Sequence, residues 1–261
     1  MPDYTPVDVS HLLSYIFYPR QDFTSPPANA FDLLVPVEPG VNVSCRFYIG
    51  EEHWPLILYF HGNGEVVSDY DHIAPLYNRK ALNLVVSDYR GYGASGGSPT
   101  LGAISRDCHV IFKAVKEEIS QRRLRGGLWV MGRSLGSISA TELACRWKNK
   151  FRALIIESGF VSILPVMKHI GLSLQMDDVA DRIMEEALAM VRNITLPTLI
   201  IHGEEDTLVP VEEARRFYDN LGSAEKKLLI IPGADHNDIM FAGMDQYFEA
   251  IQAFIASTLQ T

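Results

Sequence analysis

The chain has 261 residues, 47% of them hydrophobic and 21% charged, which is enough apolar material for one large α/β domain or two small ones. A formal net charge of −9 argues against a nucleic-acid binder, which carries a basic patch or stripe. No stretch approaches the roughly 18 apolar residues of a membrane span. The start, Met1-Pro2-Asp3-Tyr4-Thr5, lacks the basic and apolar regions of a signal peptide, so a cytoplasmic protein is expected.

Residues 1–30 read as an extension that packs on the core, with a short helix from His11 to Tyr18 ended by Pro19 and irregular chain from Phe23 to Ala30. Phe31 to Val37 and Val41 to Ile49 form an opening hairpin that turns near Pro39-Gly40. Leu56 to Phe60 is a continuous apolar run, as in a strand buried on both faces. Leu84 to Ser87 follows as a strand, then a helix over Ser105 to Ser120, with Val110, Ile111, Ala114, Val115 and Ile119 at helical spacing. The strand Leu128 to Met131 leads to a helix over Ser137 to Trp147, then the strand Ala153 to Glu157.

About forty residues separate that strand from the next, whereas one crossover helix with short loops needs roughly half that. We read residues 159–197 as a small cap over the sheet edge, containing an amphipathic helix from Asp177 to Val191. The bland alternative is an elongated crossover helix with no role at the site. The strand Thr198 to His202, a helix over Val211 to Leu221, the strand Lys227 to Ile231 and a helix over Tyr247 to Leu259 complete the chain. The fold class expected is α/β: a mostly parallel eight-stranded sheet with helices on both faces, over residues 31–261. Cys45, Cys108 and Cys145 form no Cys-x-x-Cys pair and read as structural thiols in a reducing compartment.

The chemistry concentrates at strand ends. Gly132-Arg133-Ser134-Leu135-Gly136 follows the apolar strand Leu128 to Met131 directly. A strand-to-helix turn this tight strains its middle residue and holds the Ser134 hydroxyl out at the tip, while the glycines let strand and helix approach. A serine hydroxyl is a weak nucleophile until a base takes its proton, and a histidine base needs a carboxylate to hold its tautomer. Asp206 lies just past the strand ending at His202, and His236 just past the strand ending at Ile231, so the chain order is Ser, Asp, His. Acyl transfer also needs backbone N–H groups facing the developing oxyanion. Leu135 supplies one, and the glycine-bearing loop His61-Gly62-Asn63-Gly64 supplies the other through Asn63.

These segments, with Asp88-Tyr89-Arg90-Gly91-Tyr92-Gly93-Ala94-Ser95 and His202-Gly203-Glu204-Glu205-Asp206, resemble the α/β-hydrolase superfamily over about residues 30 to 257. The branch they look like is the alpha/beta hydrolase domain-containing proteins, near the serine aminopeptidase-like group. The resemblance implies the α/β-hydrolase fold, with Ser134 as nucleophile, Asp206 as acid and His236 as base. Some eukaryotic members remove palmitoyl groups from proteins and carry an N-terminal cysteine cluster, whereas this chain has no cysteine before Cys45.

Each residue has a competing use. Asp206 could cap the helix after Pro210, and Glu204 and Glu205 are rival carboxylates. His236 could bind a metal with Asp235 and Asp238, but no second histidine stands at ligand spacing, so no metal and no cofactor is expected. His61 shapes the loop rather than acting as a base, and His202 is structural. Asp88 and Arg90 are satisfied by local hydrogen bonds in a tight turn. Arg133 points to solvent or to a carboxylate such as Glu157. Phe160, Ile163, Leu164 and Met167 either line an acyl pocket or are plain core.

The function expected is a serine hydrolase acting on a small-molecule carboxylic ester, with no nucleic-acid partner. The alternatives are an amidase or aminopeptidase, using Glu157 or the Asp177-Asp178 pair to hold an ammonium group, a thioesterase, or a non-catalytic binding protein.

Overall fold

The computed structural model describes residues 1–172 and 177–259. Helix α1 (Ser10–Ile16) precedes the hairpin of β1 (Ala30–Glu38) and β2 (Val41–Tyr48). Strand β3 (Leu56–Phe60), helix α2 (Ala74–Arg79), strand β4 (Asn83–Ser87), helix α3 (Leu101–Gln121), strand β5 (Leu128–Arg133) and helix α4 (Ser137–Arg146) follow. Strand β6 (Leu154–Glu157) leads to α5 (Ile163–His169) and α6 (Asp177–Arg192). Strand β7 (Thr198–Gly203), α7 (Val211–Asn220), β8 (Lys226–Ile231), α8 (Ile239–Ala242) and α9 (Met244–Thr258) complete the order.

The strands form one eight-stranded sheet, β1-β2-β4-β3-β5-β6-β7-β8. The β1–β2 and β2–β4 pairs are antiparallel and every later pair is parallel. Alternation along β3 shows why it is apolar throughout. Leu56, Leu58 and Phe60 enter the core under α3, α4, α6 and α7, while Ile57 and Tyr59 enter the core under α2 and α9. The strand order reverses between β3 and β5, so the loops after these two strands diverge and open a crevice at their C-terminal ends.

Long-range contacts move several boundaries. Helix α3 starts four residues before the expected Ser105, because the Thr100 hydroxyl accepts from Ala103 N at 2.9 Å and the Asp8 carboxylate accepts from Leu101 N and Gly102 N at 2.8 Å each. Strand β5 runs on to Arg133 because Gly132 pairs with Phe60 and Arg133 with Glu157. Helix α5 contains Pro165. It falls in the first turn, where its missing N–H costs nothing.

The segment 159–197 divides. Its first part, Phe160 to Leu172, reaches the crevice. Helix α6, expected in the cap, instead packs along α4 and α7 with Ile183, Ala187 and Val191 buried, as a crossover helix on the sheet face. The N-terminal segment packs on the core through Tyr4, Val7, Ile16 and Phe17. Among the described residues, no helix is long and apolar enough to cross a membrane. Cys45 and Cys108 are buried, Cys145 is half-buried, and all three are free thiols.

Candidate active site

Ser134 stands at the C-terminal end of β5 with φ +50°, a left-handed conformation that a residue other than glycine rarely adopts. The turn is held tightly from both sides. A Cβ at Gly136 would lie 2.0 Å from the Phe60 carbonyl oxygen, and one at Gly132 would lie 2.4 Å from the Gly136 carbonyl oxygen. The Ser137 hydroxyl donates to the Ser134 carbonyl at 2.6 Å and closes the turn. The sheet therefore fixes where the Ser134 hydroxyl stands before any ligand arrives.

The loops after β7 and β8 bring Asp206 and His236 to it. His236 Nε2 lies 3.1 Å from Ser134 Oγ, and His236 Nδ1 donates to Asp206 Oδ2 at 2.7 Å. That second bond leaves Nε2 as the acceptor of the serine proton in the neutral imidazole. Asp206 also caps its own loop, as its other oxygen accepts from Val209 N at 2.7 Å and Leu208 N at 3.0 Å. The helix-capping use expected of it is not seen, since α7 begins at Val211 with no side-chain cap. Burial opposes its ionised form, but the hydrogen bonds from His202 and His236, the His236 charge and the Val209 N–H outweigh that and hold its carboxyl well below the usual carboxylate range.

A depressed carboxyl contributes stability above its ordinary value of 3.8 and loses it as the pH falls below that. Denaturant melts between about pH 2 and pH 6 should therefore show a steeper acid-side loss of stability in the wild type than in Asp206→Asn. Equal slopes would remove this account of Asp206.

The rival groups are engaged elsewhere. Glu204 and Glu205 are exposed, while Asp206 is buried. Asp235 accepts from Thr207 N and His236 N, and Asp238 accepts from Asp235 N, so both carboxylates brace the loop. His202 is fully buried, with Nε2 donating to the Val209 carbonyl at 2.8 Å. His61 Nδ1 donates to the Gly62 carbonyl at 2.7 Å, and its Nε2 lies 3.1 Å from Asp88 Oδ1. The local hydrogen bonds expected for Asp88 and Arg90 are replaced by distant partners: Arg90 donates to Asp107 of α3 and Glu38 of β1, and Asp88 Oδ1 accepts from Val67 N at 3.0 Å.

Arg133 is the connection that the sequence barely suggested. Its side chain is buried, and Nε donates to Glu157 at 3.2 Å, its neighbour in strand register. Another nitrogen pairs with Glu65, and Nη2 donates to the His236 carbonyl at 2.8 Å and to Asn237 Oδ1 at 3.1 Å. Glu65 in turn accepts from Gly62 N at 2.9 Å and from the Tyr70 hydroxyl at 2.7 Å. One guanidinium therefore ties the loop after β3 to the loop that carries His236. Burial pushes the Glu157 carboxyl up, whereas on Glu65 the charges of Arg133 and His61 overcome burial and hold it down.

A cavity of about 520 Å³ opens at the Ser134 hydroxyl. Its polar end is Ser134, His236, Asn63 and Asn237, and the rest is largely apolar. Phe160, Ile163 and Met167 belong to the buried core and also line the cavity, whereas Leu164 lies in the core alone. Leu135 and Asn63 line it as well. Missed from the sequence were Tyr15, Ile16 and Tyr18, which reach it from the N-terminal segment and carry no local signal of doing so. A wider groove of about 840 Å³ lies at the other end of the sheet, by Leu128 and Arg152, and touches none of these groups.

The model of the family described as serine aminopeptidase, S33 matches residues 51–176 and 165–240. The chain is 30% identical over 216 residues to Protein bem46 of Schizosaccharomyces pombe, covering 78% of this chain and 68% of that protein. It is 32% identical over 192 residues to the lysophosphatidylserine lipase ABHD12 of Danio rerio, covering 67% of this chain and 49% of that relative, which is about half its length. The esterase Pf2001 of Pyrococcus furiosus shares the fold with a TM-score of 0.74 over 93% of this chain and 99% of that one, at 18% identity. The match takes in the Ser134 turn, the loop after β3, Asp206 and His236, and spans most of the sheet, so the chain belongs to the serine aminopeptidase S33 family and is an α/β hydrolase.

Proposed function

We propose that this hydrolase cleaves carboxylic esters of small molecules through an acyl-enzyme on Ser134. The observation that carries the reading is the run of contacts from Ser134 Oγ to His236 Nε2 at 3.1 Å and from His236 Nδ1 to Asp206 at 2.7 Å, at the polar end of an apolar cavity.

In this reading Ser134 Oγ attacks the acyl carbon as its proton passes to His236 Nε2. Asp206 stabilises the imidazolium so formed and remains ionised, consistent with its depressed carboxyl. The N–H groups of Leu135 and Asn63 receive the oxyanion. Gly62 N–H already donates to Glu65, which favours Asn63 as the donor from that loop. His236 then returns the proton to the leaving alcohol, and a water molecule releases the acyl group by the reverse path. A lipase and an esterase among the similar proteins add support.

An aminopeptidase finds less support. Glu157 is buried, with one oxygen on Arg133 and the other accepting from the Tyr247 hydroxyl at 2.6 Å, so it cannot face a substrate ammonium. Asp178 is exposed on α6, and the Asp177 side chain lies outside the described residues.

Purified protein is expected to hydrolyse p-nitrophenyl butyrate, with a butyryl adduct on the Ser134 peptide in samples quenched early in turnover. Absence of both hydrolysis and adduct would overturn the proposal.

A further inference from the structure

The cavity wall is not made by the family-matched residues alone. Ser134, His236 and the loop after β3 lie inside the matched range, which begins at residue 51. Tyr15, Ile16 and Tyr18 lie outside it, yet they share the cavity with Ile163, Met167 and Ile170 of the α5 region.

These residues belong to a strap that is bound to the site. The Ile16 carbonyl accepts from Asn63 Nδ2 at 2.6 Å, and Tyr18 N donates to Asn63 Oδ1 at 3.1 Å. The Tyr92 hydroxyl donates to that same oxygen at 2.6 Å. Arg20 Nε donates to the Gly64 carbonyl at 3.0 Å and its guanidinium pairs with Asp69. Farther along, Gln21 Nε2 donates to the Gly91 carbonyl at 2.8 Å, and upstream Asp8 caps α3. A segment fastened at both ends and to the loop beside the serine presents a fixed surface, and a fixed apolar surface discriminates by shape.

The surface is graded from inside to outside. Ile16 is 5% exposed, whereas Tyr15 and Tyr18 are 58% and 63% exposed. Ile170 and Leu208, also cavity residues, are 45% and 39% exposed. The lining thus runs from the serine past a buried aliphatic wall to an apolar rim, which suits an unbranched hydrocarbon chain leaving the reacting carbonyl.

We propose that this strap is the specificity element of the site: Ile16 and Tyr15 select the length of an unbranched acyl group bound between the strap and α5. The proposal rests on the ester-hydrolase reading above. It assigns a substrate-contacting role to a segment that lies outside the family match.

The test is a p-nitrophenyl ester series from acetate to decanoate on the wild type, Tyr15→Ala and Ile16→Phe, with fluorophosphonate labelling of each. Tyr15 is largely exposed, so its loss leaves the fold in place. Tyr15→Ala is expected to lower the octanoate-to-acetate ratio of kcat/KM about tenfold, mainly through KM for octanoate. Ile16→Phe is expected to move the best acyl length toward shorter chains, because the added ring fills the inner cavity. Labelled, active variants that both keep the wild-type chain-length profile to within about twofold would overturn the strap's role alone. A wild type that neither labels nor cleaves any ester would overturn the hydrolase reading, and the strap's role with it.

Discussion

Ser134→Ala is expected to lower kcat on p-nitrophenyl butyrate by roughly 10⁴- to 10⁶-fold while leaving the protein folded. The change removes one oxygen and adds no atoms to a turn whose neighbours already approach closely. Alanine carries the same Cβ as serine, so the strain at φ +50° is unchanged. The His236–Asp206 bond at 2.7 Å persists, and the cavity keeps its other walls. KM should therefore move little while kcat collapses. Steady-state kinetics with a thermal melt of the same sample check this, and turnover equal to the wild type by a folded alanine variant would refute it.

Arg133→Met should have the next largest effect, and it acts on stability and rate together. Removing the guanidinium leaves Glu157 fully buried and Glu65 half-buried without their shared cation, which costs about 3–5 kcal/mol. The cost depends on pH. Burial already holds the Glu157 carboxyl above its ordinary 4.5, and without Arg133 nothing cationic opposes this. A raised carboxyl contributes stability below its ordinary value and loses it as the pH rises through the folded one. The variant's deficit should therefore be larger at about pH 8 than at about pH 5. The His236 carbonyl and Asn237 also lose their common donor, so the loop that carries the imidazole loses its tie to β5. Small misplacements of a reacting group cost about 10²-fold, and kcat should fall by that order. Arg133→Lys should recover little of it, since an ammonium cannot reach four acceptors from one planar fork. Urea melts at the two pH values, with kinetics on the fraction that folds, test both parts.

What the sequence made legible follows its local signals. β3 is read correctly as doubly buried because Leu56 to Phe60 leaves no polar face, and both cores claim its side chains. That Asp206 and His236 come together at Ser134 is legible because each stands a few residues past a strand end, a spacing that survives any small error in strand boundary. The start of α3 had a local signal in its N-cap, Thr100, but the second acceptor at that end, Asp8, lies far away in sequence. The placement of α6 was missed because an amphipathic stripe does not say which apolar surface it meets, and Ile183, Ala187 and Val191 meet the sheet-face core. Arg133 shows the middle case. Its neighbour Glu157 follows from strand register, but Glu65 and the His236 carbonyl depend on how two loops fold over the sheet. The strap was opaque for the same reason, since nothing local in Tyr15 to Tyr18 names Asn63 as its partner.

In the proposed chemistry His236, held by Asp206, activates the Ser134 hydroxyl at the mouth of an apolar cavity. The most direct measurement is labelling of the purified wild type with a fluorophosphonate, followed by peptide mapping, alongside Ser134→Ala and His236→Ala. A single adduct is expected on the Ser134 peptide of the wild type, none on Ser134→Ala, and strongly slowed labelling of His236→Ala. An unlabelled wild type, an adduct on another residue, or labelling that survives Ser134→Ala would contradict that chemistry.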